Sequence, residues 1–365
     1  MNAPLFIAAR DLGGANAIAP VAAAWRRAEG DRAVAGAWQR PADVVFVRDR
    51  IRGAEAPDGA RMTELRAIAA DALDRERPVA ALVGTSWGDS IDKAVTIEAD
   101  ARAIPTIAVL DAWLNYRERF CDIGADALRY LPSRVAVMDA TAFEDARAAR
   151  IPAGRLVITG QPHFDVVRAQ AGDPAICAEA ERARREWSAG GRRVILFVSE
   201  RIAADFGPGT PLFRGYTERE AWDGVRRAVK SMDEPLTLVM RRHPQESATR
   251  VDPDAIDCGD RSSAAAILAA DVVVGMTSMM LLEAALLGVP AISFEPGAAT
   301  PLAVVARRGA AAFAGTDAAL VAAMRAALAR TTPVEPPADF SMGNAAARVL
   351  EEVQALVARR AEYSR

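Results

Sequence analysis

Three short apolar runs in the second half of the chain each end on groups suited to holding an anion. Val239-Met240-Arg241-Arg242-His243-Pro244 ends on two cations and an imidazole. Pro244 disfavours the helical region for the residue before it, which keeps His243 extended at a strand end. From there an imidazole donates to a phosphate oxygen and, when protonated, offsets charge on a leaving group. Val272-Val273-Val274-Gly275-Met276-Thr277-Ser278 ends on two hydroxyls beyond a glycine turn. Thr277 or Ser278 caps a helix to about Leu287, which Gly288 and Pro290 stop. The free N–H groups and positive dipole end at such a helix start attract an anion. Glu283, in that helix, is an acceptor suited to ribose hydroxyls. The run Val194 to Val198 ends on Ser199-Glu200-Arg201, where Ser199 is a candidate substrate-binding group and Arg201 either meets a donor phosphate or pairs with nearby acids. These groups predict a pocket for a nucleotide mono- or diphosphate at the carboxyl ends of a parallel sheet. A solvated strand-end histidine and a plain helix cap are the alternatives at the same positions.

The first half carries residues suited to the other partner in a reaction. Leu5 to Ala9 is followed by Asp11, a candidate general base, and by Gly13 and Gly14, where missing side chains let a substrate approach the backbone. An Asx turn or a cap of the next helix is the competing reading for Asp11. Val79 to Val83 is followed by Thr85 and Ser86. Pro105 to Leu110 is followed by Asp111, Trp113, Tyr116, Arg117 and Arg119. That mixture offers a second base in Asp111, an aromatic face for a sugar in Trp113 or Tyr116, and a cation for a carboxylate in Arg117. An ordinary loop with core aromatics would contain the same residues.

Alternating strand and helix patterns must position all of these, which argues for an α/β protein. In the first half, strands are expected at Leu5 to Ala9, Val44 to Val47, Val79 to Val83, Pro105 to Leu110, Val135 to Met138 and Leu156 to Thr159. Helices are expected at Ala17 to Arg27, Met62 to Asp74, Ser90 to Ala103 and Ala140 to Ala149, with Asp11 to Asn16 a loop. The pattern breaks at Gly160-Gln161-Pro162-His163-Phe164-Asp165. It restarts with a charged helix, Ala175 to Trp187, and strands at Val194 to Val198, Leu236 to Met240, Asp271 to Val274 and Ala291 to Phe294. Phe206 to Thr217, rich in glycine and proline, is a candidate mobile lid. The expected organisation is residues 1–163, residues 164–342, and a final helical segment 343–365 packed back on the first domain. Ligands of open α/β sheets bind beyond the carboxyl ends of the strands, so two such domains would face a common cleft.

Bulk properties narrow the class further. A chain of 365 residues, 51% apolar and 25% charged, is long enough for two ordinary globular domains. A net charge of −3 and the lack of a basic stripe with interleaved aromatics argue against a nucleic-acid partner. Cys121, Cys177 and Cys258 lie far apart without metal-ligand spacing, which suits incidental thiols in a reduced cytoplasmic protein. No Asp-x-Asp stands between a strand and a helix, so neither a metal nor another cofactor is expected. The first residues do not read as a signal peptide and no apolar stretch is long enough to span a bilayer, although peripheral membrane contact stays open.

On these residues the chain resembles glycosyltransferases of the two-Rossmann, GT-B architecture. The resemblance rests on His243-Pro244 after a strand, on Gly275-x-Thr277-Ser278 with Glu283-Ala284 and Gly288-Val289-Pro290, and on Gly160-Gln161-Pro162-x-Phe164-Asp165. Bacterial sialyltransferases and Kdo-type transferases, which use CMP- or CDP-linked donors, are similar in the order of a His-Pro motif and a later Ser/Thr motif. The resemblance implies a metal-independent transfer of a sugar, such as a CMP-linked acidic sugar of polysaccharide biosynthesis, to a glycan, lipid or protein acceptor. His243, Pro244, Thr277 and Ser278 would hold the donor phosphate, and Asp11 or Asp111 would be the base. The acidic triplet of the sialyltransferases is not evident. The same architecture serves UDP-N-acetylglucosamine 2-epimerases, the alternative reading. Those carry a Ser-Gly-Gly turn where this chain has Gly-Met-Thr-Ser, and more histidines than His163 and His243. A non-catalytic nucleotide-sugar-binding protein is the third reading.

Overall fold

The computed structural model describes residues 4–30, 33–210, 213–243, 246, 253–340 and 343–363. They form two compact units, residues 1–165 together with 342–365, and residues 166–341.

The first unit is built from β1 (Leu5–Ala9), α1 (Leu12–Glu29), β2 (Val34–Trp38), α2 (Asp43–Arg48), β3 (Arg52–Glu55), α3 (Met62–Glu76), β4 (Ala80–Val83), α4 (Ile91–Asp100), β5 (Thr106–Val109), β6 (Arg134–Val137), α5 (Ala140–Ala148) and β7 (Leu156–Ile158). Its strands form one parallel sheet in the order β3-β2-β1-β4-β5-β6-β7. Helices cover a parallel sheet on both faces, so its central strands read as unbroken apolar runs. Leu5–Ala9 and Ala80–Val83 are buried along their whole length.

Two expectations fail here for physical reasons. Val44 to Val47 is not a strand but most of α2, because only Val45 and Phe46 turn inward while Val44 and Val47 stay exposed. The second strand is instead Val34–Trp38, whose alanines and glycine carry little strand signal. Gly13 and Gly14 are not in a loop but in the first turn of α1. A side chain on Gly14 would stand 3.1 Å from the Gly84 Cα, so this glycine serves close packing of α1 on the turn after β4.

The second unit begins within α6 (Pro162–Gln170), at Val166. It contains α7 (Pro174–Trp187), β8 (Arg193–Val198), α8 (Ile202–Phe206), α9 (Glu218–Lys230), β9 (Leu236–Arg241), β10 (Ile256–Asp257), α10 (Ser263–Leu268), β11 (Val272–Gly275), α11 (Met280–Leu286), β12 (Ala291–Phe294), α12 (Val304–Arg307), β13 (Ala312–Ala314) and α13 (Asp317–Leu328). The strand order is β10-β9-β8-β11-β12-β13, again all parallel. Ile195, Phe197, Trp222, Val274, Phe294 and Leu320 form the centre of its core. Asp271, at the start of β11, accepts from the Val194 N–H at 2.7 Å and pairs with Arg184 and Arg193 at 2.7 and 2.6 Å, tying α7 and β8 to β11. Burial raises its pKa, but these partners outweigh burial and hold it below the usual carboxylate range.

The last helix, α14 (Ala345–Tyr363), belongs to the first unit. Val349 and Val353 enter the same core as Ile18, Val21 and Trp25 of α1. Arg348 donates to the Thr159 carbonyl at 2.8 Å, and the Ala345 N–H donates to the Asp165 carboxylate at 2.7 Å. Among the described residues no helix is long and apolar enough to cross a membrane.

Candidate functional site

In each sheet the strand order reverses at one point, between β1 and β4 in the first unit and between β8 and β11 in the second. Ligands of open α/β sheets bind outside the carboxyl ends of strands at such a reversal. The residues singled out by sequence gather there, since Asp11 follows β1, Thr85 follows β4, Ser199 follows β8 and Thr277 follows β11.

In the second unit the reversal is crossed by a bond that sequence reasoning missed. The Glu200 carboxylate, just beyond β8, accepts from the Thr277 N–H at 2.8 and 3.0 Å and lies 3.0 Å from the Thr277 hydroxyl. Arg214 donates to that same hydroxyl at 2.7 Å and stacks over the Phe206 ring, 3.8 Å from its centroid. Thr277 therefore does not cap the following helix, as expected from sequence. That helix is α11, only seven residues long and starting at Met280. Ser278 instead turns its hydroxyl to the Met280 N–H at 3.2 Å. Glu283 is partly exposed in the first turn of α11.

A second missed carboxylate closes the β9 side. Glu246 accepts from the His243 N–H at 2.6 Å and from the Ser199 hydroxyl at 2.8 Å, while its own N–H donates to the His243 carbonyl at 2.9 Å. The bond from the His243 N–H to a carboxylate three residues on is the backbone half of a capping box, but His243 lacks the hydroxyl that marks such a box in sequence. Pro244 lies outside the described residues. Arg201 stands 3.7 Å from Asp205, one helical turn on. Arg241 and Arg242 are held inside the unit, the first on the Arg261 carbonyl at 2.7 Å and the second on Asp257.

Behind this group, Glu295 is wholly buried beyond β12 and accepts from the Ser293 hydroxyl and from the Leu302 and Ala303 N–H groups. The Tyr216 side chain is buried beside Arg214. Its pKa is pushed up by burial first and by Glu295 second. An open depression of about 380 Å³, with Trp187 and Leu236 in its wall, lies at the amino-terminal end of β9 and thus away from the reversal.

In the first unit Asp111 is held from two sides. Its Oδ1 accepts from Arg119 at 2.6 Å, and its Oδ2 lies over Gly13. Arg119 is 8% exposed and also donates to the Thr85 carbonyl and hydroxyl and to the Leu114 carbonyl. Asp11 pairs with Arg10 at 3.0 Å and makes no capping bond to α1. Thr85 and Ser86 are buried, the first on Arg119.

Three expectations for this loop are corrected. Trp113 is 4% exposed, donates to Asp139 at 2.8 Å and stacks on Phe164 with centroids 5.6 Å apart, so its face is taken. Tyr116, 8% exposed, offers no open face either. Arg117 is engaged by Asp126 at 3.1 Å rather than waiting for a substrate carboxylate. Trp87, 51% accessible on the turn after β4, is an exposed aromatic of this unit. Nearby in sequence, Asp92 is buried in the first turn of α4, and burial first, then Asp11, pushes its carboxyl up.

Gly13→Ala tests the Asp111 arrangement. The added methyl would stand 2.1 Å from the Asp111 Oδ2, so the carboxylate must leave Arg119 or α1 must shift. The expected cost is about 1–3 kcal/mol, read as a lower urea midpoint. An unchanged midpoint would mean that the contact is loose.

These two parallel sheets, each with its own reversal, define a GT-B-type protein of two Rossmann-like units, and comparison with known structures agrees. The UDP-GlcNAc 2-epimerase from Neisseria meningitidis bound to UDP-GlcNAc matches with a TM-score of 0.70 at 14% identity, over 96% of this chain and 100% of that one. The UDP-GlcNAc 2-epimerase from Methanocaldococcus jannaschii matches with a TM-score of 0.69 at 14% identity, over 96% and 99%. The glycotransferase of kitacinnamycin matches with a TM-score of 0.55 at 15% identity, over 100% and 98%. Identities this low establish the shared fold. No family model matches the chain, and the search of curated proteins finds no match.

Proposed function

We propose that the chain is an enzyme acting on a nucleotide-activated sugar, with the nucleotide's phosphates held by the second unit at Thr277, Arg214 and His243. The observation that carries this reading is the convergence of polar groups from β8, β9 and β11 on the strand-order reversal of that unit. Transfer of the sugar to an acceptor is the first form of the reaction. Asp11 or Asp111 would take the acceptor proton. The Thr277 N–H, Arg214 and His243 would steady the departing phosphate. A CMP-linked acidic sugar is the donor suggested by His243-Pro244 and the Thr/Ser turn.

Epimerisation at the sugar's second carbon is the other form, favoured by the epimerases among the structural neighbours, one of them bound to UDP-GlcNAc. It requires no acceptor. Incubation with UDP-GlcNAc alone, followed by proton NMR, separates the two. A new 2-epimer signal supports epimerisation, and turnover that appears only with added acceptor supports transfer.

Calorimetric titration with CMP, CDP, UDP and GDP tests the shared premise. Thr277→Val keeps the backbone N–H and removes the hydroxyl, so the preferred nucleotide should bind about tenfold more weakly. Equal affinity for the variant, or no nucleotide binding by the unsubstituted protein, would remove the phosphate from this place.

A further inference from the structure

The donors that would hold a phosphate in the second unit are already engaged by a side chain of the chain itself. We infer that Glu200 and the nucleotide's phosphate compete for the Thr277 N–H and hydroxyl, so that the nucleotide binds together with a proton on Glu200. This rests on the nucleotide reading of the second unit and adds a control on it.

The geometry is specific. Both Glu200 carboxylate oxygens reach the Thr277 N–H, at 2.8 and 3.0 Å, and both lie 3.0 Å from its hydroxyl oxygen. Arg214 donates to that hydroxyl at 2.7 Å, which leaves the hydroxyl proton free to go to Glu200. A carboxylate that spans an N–H and an O–H in this way occupies the place of two phosphate oxygens. The carboxylate, the arginine and the threonine come from the ends of β8, the segment before α9, and the end of β11. They meet where the strand order reverses.

The charges around this point do not favour a second anion. Arg214 is the cation that acts on Glu200, and Glu295 is a second carboxylate near it. Tyr216, whose ionisation burial suppresses, stays neutral. A phosphate added beside the Glu200 and Glu295 side chains would crowd three acidic groups around Arg214. Protonating Glu200 lowers that repulsion and frees the Thr277 donors. The group is suited to this, because burial first, with Glu295 adding, pushes its carboxyl up to about 7 against the pull of Thr277 and Arg214.

The sign of the pH dependence follows. Above about 7 Glu200 is ionised, so binding must take up a proton and affinity falls as pH rises. The limiting slope is tenfold per pH unit, one proton per ligand. The same shift acts on the protein alone. The folded-state value of about 7 lies above the ordinary 4.5, so the stabilising contribution is complete below 4.5 and is lost as pH rises through 7.

UDP is the probe, titrated calorimetrically at pH 6, 7 and 8 in two buffers of different ionisation enthalpy. Its own terminal phosphate titrates near pH 6, but it does so equally with every variant, so the difference between proteins isolates Glu200. The unsubstituted protein should take up nearly one proton per UDP at pH 8 beyond the uptake seen with Glu200→Gln. The variant should bind UDP about tenfold more tightly than the unsubstituted protein at pH 8 and equally at pH 6. Glu200→Gln should also raise the melting temperature at pH 8 and not at pH 5. Identical pH profiles and proton uptake for the two proteins would overturn the inference while leaving the nucleotide site standing. Absence of UDP binding by either protein at every pH would overturn both. Should Glu200→Gln fail to fold, proton uptake by His243→Gln, which keeps Glu200 and removes the imidazole, at pH 8, where UDP itself is fully ionised, decides the matter. Near one supports the inference, and near zero overturns it.

Discussion

Arg119→Ala should destabilise the first unit by about 3–5 kcal/mol, because it breaks a buried pair and leaves its partner uncompensated. Arg119 is 8% exposed and binds a carboxylate, a hydroxyl and two carbonyls from the ends of β4 and β5. Alanine leaves the Asp111 carboxylate without its cation, and the Thr85 and Leu114 carbonyls without this donor. The loss should appear as a lower urea midpoint with an unchanged slope. Arg119→Lys should recover only part of it, because an ammonium reaches one acceptor at a time where the guanidinium fork reaches several. An alanine variant that unfolds at the original midpoint would show that the network contributes nothing net to stability.

Glu295→Ala should be nearly as severe in the second unit. The side chain is wholly buried, and its two oxygens accept from the Ser293 hydroxyl at 2.9 Å and from the Leu302 and Ala303 N–H groups at 2.8 and 3.0 Å. The Ser293 hydroxyl keeps the Met276 carbonyl at 2.6 Å, so the Leu302 and Ala303 N–H groups are the donors orphaned; at about 1–3 kcal/mol each, not simply additive, a loss of about 2–4 kcal/mol is expected. In a chain of two units a lowered urea midpoint does not say which unit lost stability. Amide hydrogen exchange therefore gives the cleaner readout. Protection should fall in β12 and β13 and stay unchanged in β1 and β4. Glu295→Gln should fall between the two, because its amide carbonyl can serve one set of donors while its NH₂ opposes another. Uniform loss of protection in both units would argue against a local role for Glu295.

How far the fold could be read depended on burial. Leu5–Ala9, Ala80–Val83 and Ala291–Phe294 are covered on both faces, so their apolar runs announce strands. Val34–Trp38 is as buried, but its small residues give a weak signal. Arg52–Glu55 is an edge strand with mostly exposed residues and gives none. Val44 to Val47 misleads in the other direction, since four apolar-looking positions in a row satisfy a strand and a half-buried helix equally.

The candidate site divides along a different line. Which residues follow which strand is a local property, and Asp11, Thr85, Asp111, Ser199, His243 and Thr277 all stand where the pattern places them. Which of them pair is a property of the folded chain. Glu200 reaches Thr277 across 77 residues of sequence and Glu246 reaches Ser199 across 47. No spacing rule connects such positions. The loop after β5 follows the same rule, because Trp113, Arg117 and Arg119 find partners within the unit that their spacing does not announce.

The return of α14 to the first unit sets an order of events during synthesis. Residues 166–341 leave the ribosome as one uninterrupted stretch that contains everything its own core requires. The first 165 residues do not, because Val349 and Val353 complete the packing around Ile18, Val21 and Trp25. At about 5–20 residues per second, the earlier-made part waits roughly 10–40 s for its last helix. During that interval the later-made unit can already be folded, so the half of the chain that emerges first is the half that finishes last.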